Sequence, residues 1–479
     1  MAETQPDALT TVDLLERLRA QPGGEELLAA VAEVAPVRAF LVGGAVRDLL
    51  LERGPRELDV VVEGGDAPYG RAAAQLAAAL ASRVGVHAAV HEHERFGTAI
   101  VEWGGDEEGA RDEEGDRKEK QQGDGGRIDI ATARRERYPT PGALPEVQPA
   151  SLAEDLQRRD FTVNALAVAL AETGTDWGDT RSASAGAHRG EMTAVEHACD
   201  DLAAGRLRVL HERSFLDDPT RLWRLARYRA RLGFAVEERT AQLASEAVAA
   251  GALGTVSLAR AGAELRLALG EADAVAALEA LGELGVLAAL HPRLRFDARL
   301  ARDALGLLSA AEGGAGPDPR PDLLLLAVVF QPMAVDLLEE GMDVQSDMHA
   351  LLEGMEFRAV ESDLVVRAAI CADSVAEELA RAEEGSEIYE IASFESLEGV
   401  ALAGAWEEPS WSNARVAAHR WLEELRNVRL EITGADLLAA GIPEGPEVGR
   451  RLQVALCAKL DGELGGGREA ELAAALQLR

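Results

Sequence analysis

Residues 41–50 read LVGGAVRDLL, and the architecture of the N-terminal part of the chain follows from them. They begin within a short apolar segment, AFLV at 39–42, which predicts a strand. Gly43 and Gly44 follow, and a helical pattern starts at once. Glycines let a backbone approach a ligand closely, and the free N–H groups of a helix start attract anions. The stretch therefore predicts a phosphate-binding turn, although a simple tight turn would have the same pattern.

Strand and helix patterns alternate on both sides of this turn. Before it, Leu14, Leu15 and Leu18 at helical spacing predict a helix over 11–35. After it, an Ala-rich segment predicts a helix over 68–83. Short apolar or alternating segments predict strands at 58–62, 85–91, 97–103 and 127–133. This alternation is typical of an α/β module.

The remainder of the chain has a different pattern. Residues 104–126 carry nine acids and four bases, which is the composition of a solvated insertion between two strands. From about residue 150 onward almost every pattern is helical, with breaks at 172–190, 251–256, 313–321 and 441–446. The expected fold class is α+β, with a small N-terminal α/β head followed by a long all-helical remainder.

Composition narrows the class of protein. The chain has 479 residues, 47% of them hydrophobic and 28% charged, so it can form sizeable cores. The formal net charge of −35 argues against a nucleic-acid partner unless a local basic face exists. The scattered Cys199, Cys371 and Cys457 fit neither a metal knuckle nor a disulfide framework. A polar, acidic N-terminus and the lack of a long uncharged apolar run predict a cytoplasmic protein without a signal peptide or membrane span.

Three acids lie on predicted strands of the α/β module. Glu57 and Asp59 flank Leu58, and positions i and i+2 of a strand share one face. Asp129, in RIDIATA, lies on another strand. Acids around two metal ions suit in-line nucleotidyl transfer, since one ion activates the attacking hydroxyl and the other stabilises the leaving pyrophosphate. Each acid taken singly would also fit an ordinary strand end.

The segment RRDFTVNALA at 158–167 is a third signal. It places Arg158, Arg159 and Asp160 directly before a predicted helix that contains Asn164. Two arginines can clamp a triphosphate, and a carboxylate can accept a hydrogen bond from a ribose hydroxyl. A solvated, charged helix start is the alternative interpretation.

The segment FLDDPTRLWRLARYRARLGF at 215–234 is a fourth signal. Asp217 or Asp218 can cap a helix that has Pro219 at its first position. Asp218 and Arg221 are three residues apart and can share a helical face. A carboxylate beside a guanidinium can pair with cytosine or adenine, each of which offers an amino donor next to a ring acceptor. A helix cap with an intrahelical salt bridge would have the same spacing.

Together these motifs resemble the class II tRNA nucleotidyltransferase and poly(A) polymerase family, within the polymerase-β-like nucleotidyltransferase superfamily. The resemblance is carried, in this order, by LVGGAVRDLL, ELDVVVEG, RIDIATAR, RRDFTVNALA, RVLHERSFLDDPTRLWRLARY and RLEITGADLLAAGIPEGPEVG. The subgroup it resembles includes separate A-adding enzymes and complete CCA-adding enzymes. The resemblance implies an elongated molecule with a head at 1–170, a base-recognising neck at 171–270, a body at 271–425 and a tRNA-binding tail at 426–479.

The resemblance also implies roles for individual residues. It assigns Gly43, Gly44, Arg47 and Asp48 to binding the triphosphate and to the framework of that binding site. The catalytic acids are Glu57, Asp59 and Asp129, of which Glu57 and Asp59 are the metal ligands. The sugar and phosphates are held by Arg158, Arg159, Asp160 and Asn164. The nucleotide is read by Asp218 and Arg221, on a basic face extended by Arg224 and Arg227.

One position departs from the family pattern. The family usually has Asp-x-Asp where this chain has Glu57-Leu58-Asp59. Glutamate is one methylene longer and still offers hard oxygen ligands to a cation. The implied enzyme therefore binds two Mg²⁺ ions, with Glu57 among their ligands, and uses ATP and CTP as substrates.

The activity implied by the resemblance is template-independent addition of CCA, or of its terminal A, to tRNA 3′ ends. Poly(A) tailing of other RNAs is one alternative, and a non-catalytic RNA-binding homologue in which Glu57 disables the metal site is another. We expect tRNA binding in spite of the net charge, because residues 206–231 hold eight Arg against three acids. The affinity for tRNA should then depend strongly on salt.

Overall fold

The structure, a computed structural model, describes residues 14–34, 37–63, 70–85, 87–93, 96–104, 125–140, 142, 145–171, 188–406 and 411–477. The chain divides into two compact units. The first comprises Met1–Arg221 and Leu232–Thr255, and the second comprises Leu222–Arg231 and Val256–Arg479. Most of the predicted insertion at 104–126 lies outside the described residues.

The first unit is built on strands. In the described residues these are β1 (Arg38–Val42), β2 (Leu58–Glu63), β3 (Ala89–His93), β4 (Thr98–Trp103), β5 (Gly126–Thr132), β6 (Arg134–Arg137), β7 (Glu146–Pro149), β8 (Leu166–Ala169), β9 (Met192–Ala194), β10 (Arg206–Leu207) and β11 (Ala235–Val236). Seven of them form one sheet in the order β3-β4-β5-β2-β1-β8-β9. In this sheet β2 and β5 run parallel, whereas the other described pairs are antiparallel.

Short helices cover this sheet and follow it. Those wholly within the first unit are α1 (Leu14–Arg19), α2 (Gly24–Glu33), α3 (Gly44–Leu50), α4 (Arg71–Val84), α5 (Leu152–Gln157), α6 (Ala198–Ala203), α7 (Ser214–Asp217) and α9 (Glu238–Ala249), while α8 (Thr220–Leu232) contributes residues to both units. One core cluster joins Phe40 and Val42 of β1 to Val61 of β2 and Leu156 of α5. The strand predictions at 39–42, 58–62, 97–103 and 127–133 are confirmed to within about two residues at each end.

Two helix predictions in this unit are wrong. The helix expected over 11–35 is interrupted, because Gly23 adopts φ +74°, a conformation that an L side chain rarely takes, and the chain turns before α2. The helix expected after Asp160 is a single 3₁₀ turn, Thr162–Asn164, followed by β8. The four residues of β8 are all buried, and β8 pairs with both β1 and β9. A short apolar run does not distinguish a buried strand from a buried helix.

The second unit is helical throughout its described residues. Its helices are α10 (Leu258–Leu269), α11 (Ala274–Glu283), α12 (Val286–Leu290), α13 (Ala298–Leu308), α14 (Pro321–Glu339), α15 (Val344–Gly354), α16 (Ala359–Arg381), α17 (Gly385–Ala392), α18 (Leu397–Gly404), α19 (Ser412–Glu423), α20 (Gly434–Ala439), α21 (Pro446–Leu460) and α22 (Arg468–Leu476). Helices α14, α16, α18 and α19 pack on one another, and α20 to α22 share a small core around Leu437. The expected fold class, an α/β head followed by a helical region, is confirmed.

Helix α14 is both long and apolar. By length and composition it could cross a membrane, although the sequence predicted no span. About two thirds of its most apolar window, 67%, is buried inside the protein. Packing against α13 and α16 accounts for this apolar composition without a membrane.

Gly262 of α10 permits a close approach of two backbones in the second unit. A Cβ built there would lie 2.1 Å from the carbonyl oxygen of Met355. We expect Gly262→Ala to destabilise the second unit by roughly 2–3 kcal/mol, because backbone must move. The matched control is Gly306→Ala in α13, where a Cβ meets nothing within 4 Å. Improved helix propensity should stabilise this control by up to about 1 kcal/mol. Urea unfolding of both variants tests the prediction, which fails if their midpoints move alike.

Candidate active site

The glycine turn lies between β1 and α3. Gly43 has φ +71°, and a Cβ on it would come within 2.6 Å of Nη1 of Arg159. The turn thus needs glycine for its backbone conformation and for the approach of an arginine from the RRDF segment. The N–H group of Gly43 donates to the carbonyl of Leu166 on β8, which fixes the turn to the sheet.

A chain of hydrogen bonds joins the first motif to the third. Arg47 is 1% exposed, and its Nη1 donates to Oδ1 of Asn164. Its Nε and Nη2 reach the carboxylate of Asp48 at 2.8 and 2.7 Å. Asn164 in turn donates through Nδ2 to Oδ1 of Asp160 at 2.9 Å. The structure therefore brings Arg47, Asp48, Asp160 and Asn164 together and gives Arg47 a buried, framework position.

The two arginines of RRDF are held by an acid that the sequence analysis missed. Asp155 is fully buried, and Oδ1 accepts from Nε and Nη2 of Arg158 at 3.0 and 2.8 Å. Its Oδ2 accepts from Nη2 of Arg159 at 3.1 Å, and the N–H of Arg134 adds a further bond to Oδ1. Burial alone would raise the pKa of Asp155, but the charges of Arg158 and Arg159 hold that pKa below its usual value. Arg158 and Arg159 follow Asp155 by three and four residues at a helix end, and this spacing could have predicted the role of Asp155 from the sequence.

The candidate catalytic acids lie on neighbouring strands. Asp59 of β2 and Asp129 of β5 are register partners in a parallel pair, so their side chains share one face of the sheet. Glu57 directly precedes β2 and is 53% exposed. In the described part of the chain no group of three or more His, Cys, Asp or Glu converges on one point that could hold a metal ion. The acids fit Mg²⁺ by their donor chemistry, but Asp129 and Glu57 face the guanidinium of Arg127.

The fourth motif borders a polar cavity of about 300 Å³ in the first unit. Among its lining residues are Arg158, Asp217 and Arg221. Arg221 is 5% exposed, and its Nη1 donates to Oγ of Ser214 at 2.7 Å while Nη2 donates to the carbonyl of Arg158 at 2.6 Å. Asp218 accepts from the N–H and hydroxyl of Thr220 at the start of α8, at 3.2 and 2.7 Å. The fourth motif is thereby tied to the third, and the predicted helix cap is present.

Glu136 and Tyr138, which the sequence analysis did not single out, line the same cavity. Oε1 of Glu136 accepts from Nη1 of Arg158 at 2.8 Å, and Oε2 accepts from the Tyr138 hydroxyl at 3.0 Å. Burial, together with the charges of Glu136 and Asp218, raises the pKa of Tyr138 above its ordinary value. The β6–β7 ribbon, which no sequence pattern above predicted, thus supplies one wall of the cavity.

Most arginines of the basic face predicted beyond Arg221 form ion pairs with acidic side chains of the protein itself. In the second unit Arg227 is 8% exposed and bonds to Glu271 at 3.0 Å and to Glu264 at 3.3 Å. Arg224 donates to the Tyr228 hydroxyl at 2.8 Å. Other arginines of 206–231 also meet acids, namely Arg206, Arg208, Arg213, Arg229 and Arg231. The nucleotide roles of Arg224 and Arg227 stay predictions, and the local charge of this stretch is smaller than its sequence implies.

Comparison with known proteins identifies the head. Residues 39–177 match the model of the poly A polymerase head domain. The A-adding tRNA nucleotidyltransferase of Geobacter sulfurreducens is 32% identical over 460 residues, which cover 94% of this chain and 46% of that protein. The CC-adding tRNA nucleotidyltransferase of Deinococcus radiodurans is 37% identical over 192 residues, 40% of each protein. The chain thus spans less than half the length of either curated relative.

A solved structure extends the similarity to almost the whole chain. A tRNA-processing enzyme solved with CTP superposes with a TM-score of 0.64 at 26% sequence identity, covering 91% of this chain and 100% of that one. The glycine turn, the acids on β2 and β5 and the RRDF segment all lie within the matched head at 39–177. Residues 39–177 thus match the poly A polymerase head-domain family, and most of the chain is similar to tRNA nucleotidyltransferases.

Proposed function

We propose that this protein transfers a nucleotide from ATP or CTP to the 3′ hydroxyl of tRNA, without a template, and releases pyrophosphate. The observation that carries the proposal is the geometry of the head: Asp59 and Asp129 are register partners on one sheet face. In the same unit, buried hydrogen bonds tie the glycine-turn helix to the RRDF segment. The similarity to A-adding and CC-adding tRNA nucleotidyltransferases supports tRNA as the acceptor.

Two Mg²⁺ ions would be held by Glu57 and Asp59, with Asp129 as the third acid. When bound, these ions would supply activation of the attacking hydroxyl and neutralisation of the charge that develops on the pyrophosphate. Arg159 stands beside the glycine turn, within reach of a triphosphate cradled there. Asp155 holds Arg158 and Arg159 in place before any nucleotide arrives, so that less ordering is needed on binding.

The nucleotide would be selected in the cavity bordered by Arg221. Two of the five N–H donors of this guanidinium are used by Ser214 and the Arg158 carbonyl, which leaves others for a ring nitrogen. The carboxylate of Asp218, which adjoins the lining residue Asp217 without lining the cavity itself, would accept from an exocyclic amino group. Guanine and uracil would leave these charged groups unpaired, at a cost of a few kcal/mol. The site would therefore accept adenine and cytosine.

Nucleotide incorporation on three tRNA transcripts tests this proposal and distinguishes A addition from complete CCA addition. The transcripts end before CCA, after C and after CC, and each receives ATP, CTP, GTP or UTP singly and then ATP with CTP. A dedicated A-adding enzyme should extend only the CC-ended transcript, and only by A, whereas a complete CCA-adding enzyme should finish the shortest one. Long A tails on an unrelated RNA would favour poly(A) polymerase. No turnover with Mg²⁺ or Mn²⁺ would favour the RNA-binding alternative.

We also propose that the protein acts in the cytoplasm, where its tRNA substrate would be matured. Binding of tRNA would rely on exposed arginines of the head, such as Arg135 with its side chain 58% exposed, in addition to those of 206–231. Because many arginines of 206–231 are already paired with acids, only the remainder would contact phosphates. Fewer phosphate contacts mean a smaller salt dependence than the eight arginines of this stretch suggest.

A further inference from the structure

The sheet face that carries the candidate metal acids also carries an arginine. Arg127 lies two residues before Asp129 on β5, and side chains at i and i+2 of a strand share a face. Its register partner on β4 is Glu102. On β2, Leu58 pairs with Ile128, so Glu57 lies opposite Arg127 just as Asp59 lies opposite Asp129. Arg127 thus shares one sheet face with the acids Glu57, Asp59, Glu102 and Asp129.

The contacts of Arg127 follow this arrangement. Its Nε and Nη2 donate to the two carboxylate oxygens of Asp129 at 2.8 and 3.0 Å, a two-pronged bond. Its Nη1 lies 3.4 Å from Oε1 of Glu102, and its Nε lies 4.0 Å from Oε2 of Glu57. The guanidinium therefore sits where positive charge is needed to offset repulsion among these carboxylates.

We propose that Arg127 is a positioning residue that competes with divalent cations for the carboxylates of this face: it holds Asp129 in the absence of metal and lowers the affinity of the face for metal. The proposal rests on the proposed function, since Glu57 and Asp59 are the metal ligands named there. A cation that binds these acids must overcome the repulsion of Arg127 or displace it from Asp129. The competition would keep divalent ions weakly bound until the nucleotide supplies further oxygen ligands.

The length of Glu57 fits this arrangement. A carboxylate one methylene shorter would end about 1.5 Å earlier, and the 4.0 Å approach to Arg127 would open further.

Titration with Mn²⁺, followed by electron paramagnetic resonance of the free ion, tests the proposal without any turnover. Arg127→Ala should lower the Kd for Mn²⁺ by roughly three- to fivefold, the range expected from the loss of one exposed charge contact. Arg127→Lys keeps the charge without the two-pronged bond, so its Kd should lie between the two. Arg83→Ala, which removes another exposed arginine of the head from its pair with Glu33 at 2.7 Å, should bind Mn²⁺ as the unmodified protein does.

A second measurement separates metal competition from simple structural support. Without divalent ions, Arg127→Ala should have a lower Tm than the unmodified protein, because the acids repel one another. Added Mn²⁺ should raise its Tm more than it raises that of the unmodified protein. The proposal is overturned if Arg127→Ala binds Mn²⁺ no more tightly, or if Arg83→Ala gains equally. Neither measurement needs nucleotide incorporation. If the protein adds no nucleotide, the proposed function is rejected, but the role of Arg127 can still be tested.

Discussion

Asp155→Ala is expected to destabilise the first unit by about 3 kcal/mol and to weaken ATP binding, because Arg158 and Arg159 would lose their shared carboxylate. Breaking a buried ion pair leaves an uncompensated charge, and Asp155 is fully buried. Removing one partner of a buried ion pair usually costs about 3–5 kcal/mol. We expect the lower end of this range because the side chains of Arg158 and Arg159 remain 20% and 16% exposed. Chemical unfolding and equilibrium binding of ATP are the measurements.

The control for this variant is Glu154→Gln. Glu154 is the neighbouring acid, and its side chain is 45% exposed and 3.5 Å from Arg135. Glutamine keeps an acceptor for the N–H of Ser151, so this variant should change stability by less than about 1 kcal/mol. Equal losses in the two variants would contradict the role given to Asp155.

The same carboxylate predicts how stability changes with pH. The folded-state pKa of Asp155 is lowered, since the arginine charges outweigh the effect of burial. Its contribution is therefore fully present above the unfolded-state pKa of about 3.9 and is lost as the pH falls through the folded-state value. Part of the acid destabilisation below about pH 4 should consequently be missing in Asp155→Ala.

Asp59→Asn is expected to reduce the rate of nucleotide incorporation by at least about 10³-fold, which corresponds to about 4 kcal/mol of transition-state stabilisation. The amide keeps the shape of the carboxylate and removes its charge, so the fold should persist while Mn²⁺ binding weakens. Glu57→Ala should also lose activity, although Glu57 is the more exposed ligand. Single-turnover incorporation with the CC-ended transcript measures both effects.

Glu92→Gln is the matched control for these acids. Glu92 lies on β3 at the edge of the same sheet, with its side chain exposed, and it belongs to no proposed site. Its rate should equal that of the unmodified protein. Full activity of Glu57→Ala would remove this residue from the metal set, and full activity of Asp59→Asn would reject the two-metal proposal as a whole.

Much of the head was predictable because its signals are local. A short apolar segment, two glycines and a helical pattern are enough to predict β1, the turn and α3. Alternation along β5 likewise predicts that Asp129 lies on a different face from Ile128, and the structure agrees. These features depend only on residues within about ten positions of one another, so the sequence alone is enough to predict them.

Other features depend on partners that are distant in sequence. The segment after Asp160 became β8 because β1 and β9 pair with both of its edges, and its own apolar run fits a helix equally well. The pairing of Arg47 with Asn164, 117 residues away, has no local signal either. Strand register and long-range hydrogen bonds arise only when the whole chain packs.

The residue types and their order along the chain determined which functional groups the protein has: carboxylates on strands, a glycine turn, arginines beside an acid and a net charge of −35. Only the packed structure determined which of these groups are available to bind a nucleotide or a metal ion. Arg227, expected on a nucleotide-binding face, meets Glu264 of α10 and Glu271 just after that helix. Arg127 meets Glu57 and Asp129, two of the acids that were expected at the metal site. The reason is that the strength of a charge interaction depends on distance and burial, and neither is defined until distant segments come together.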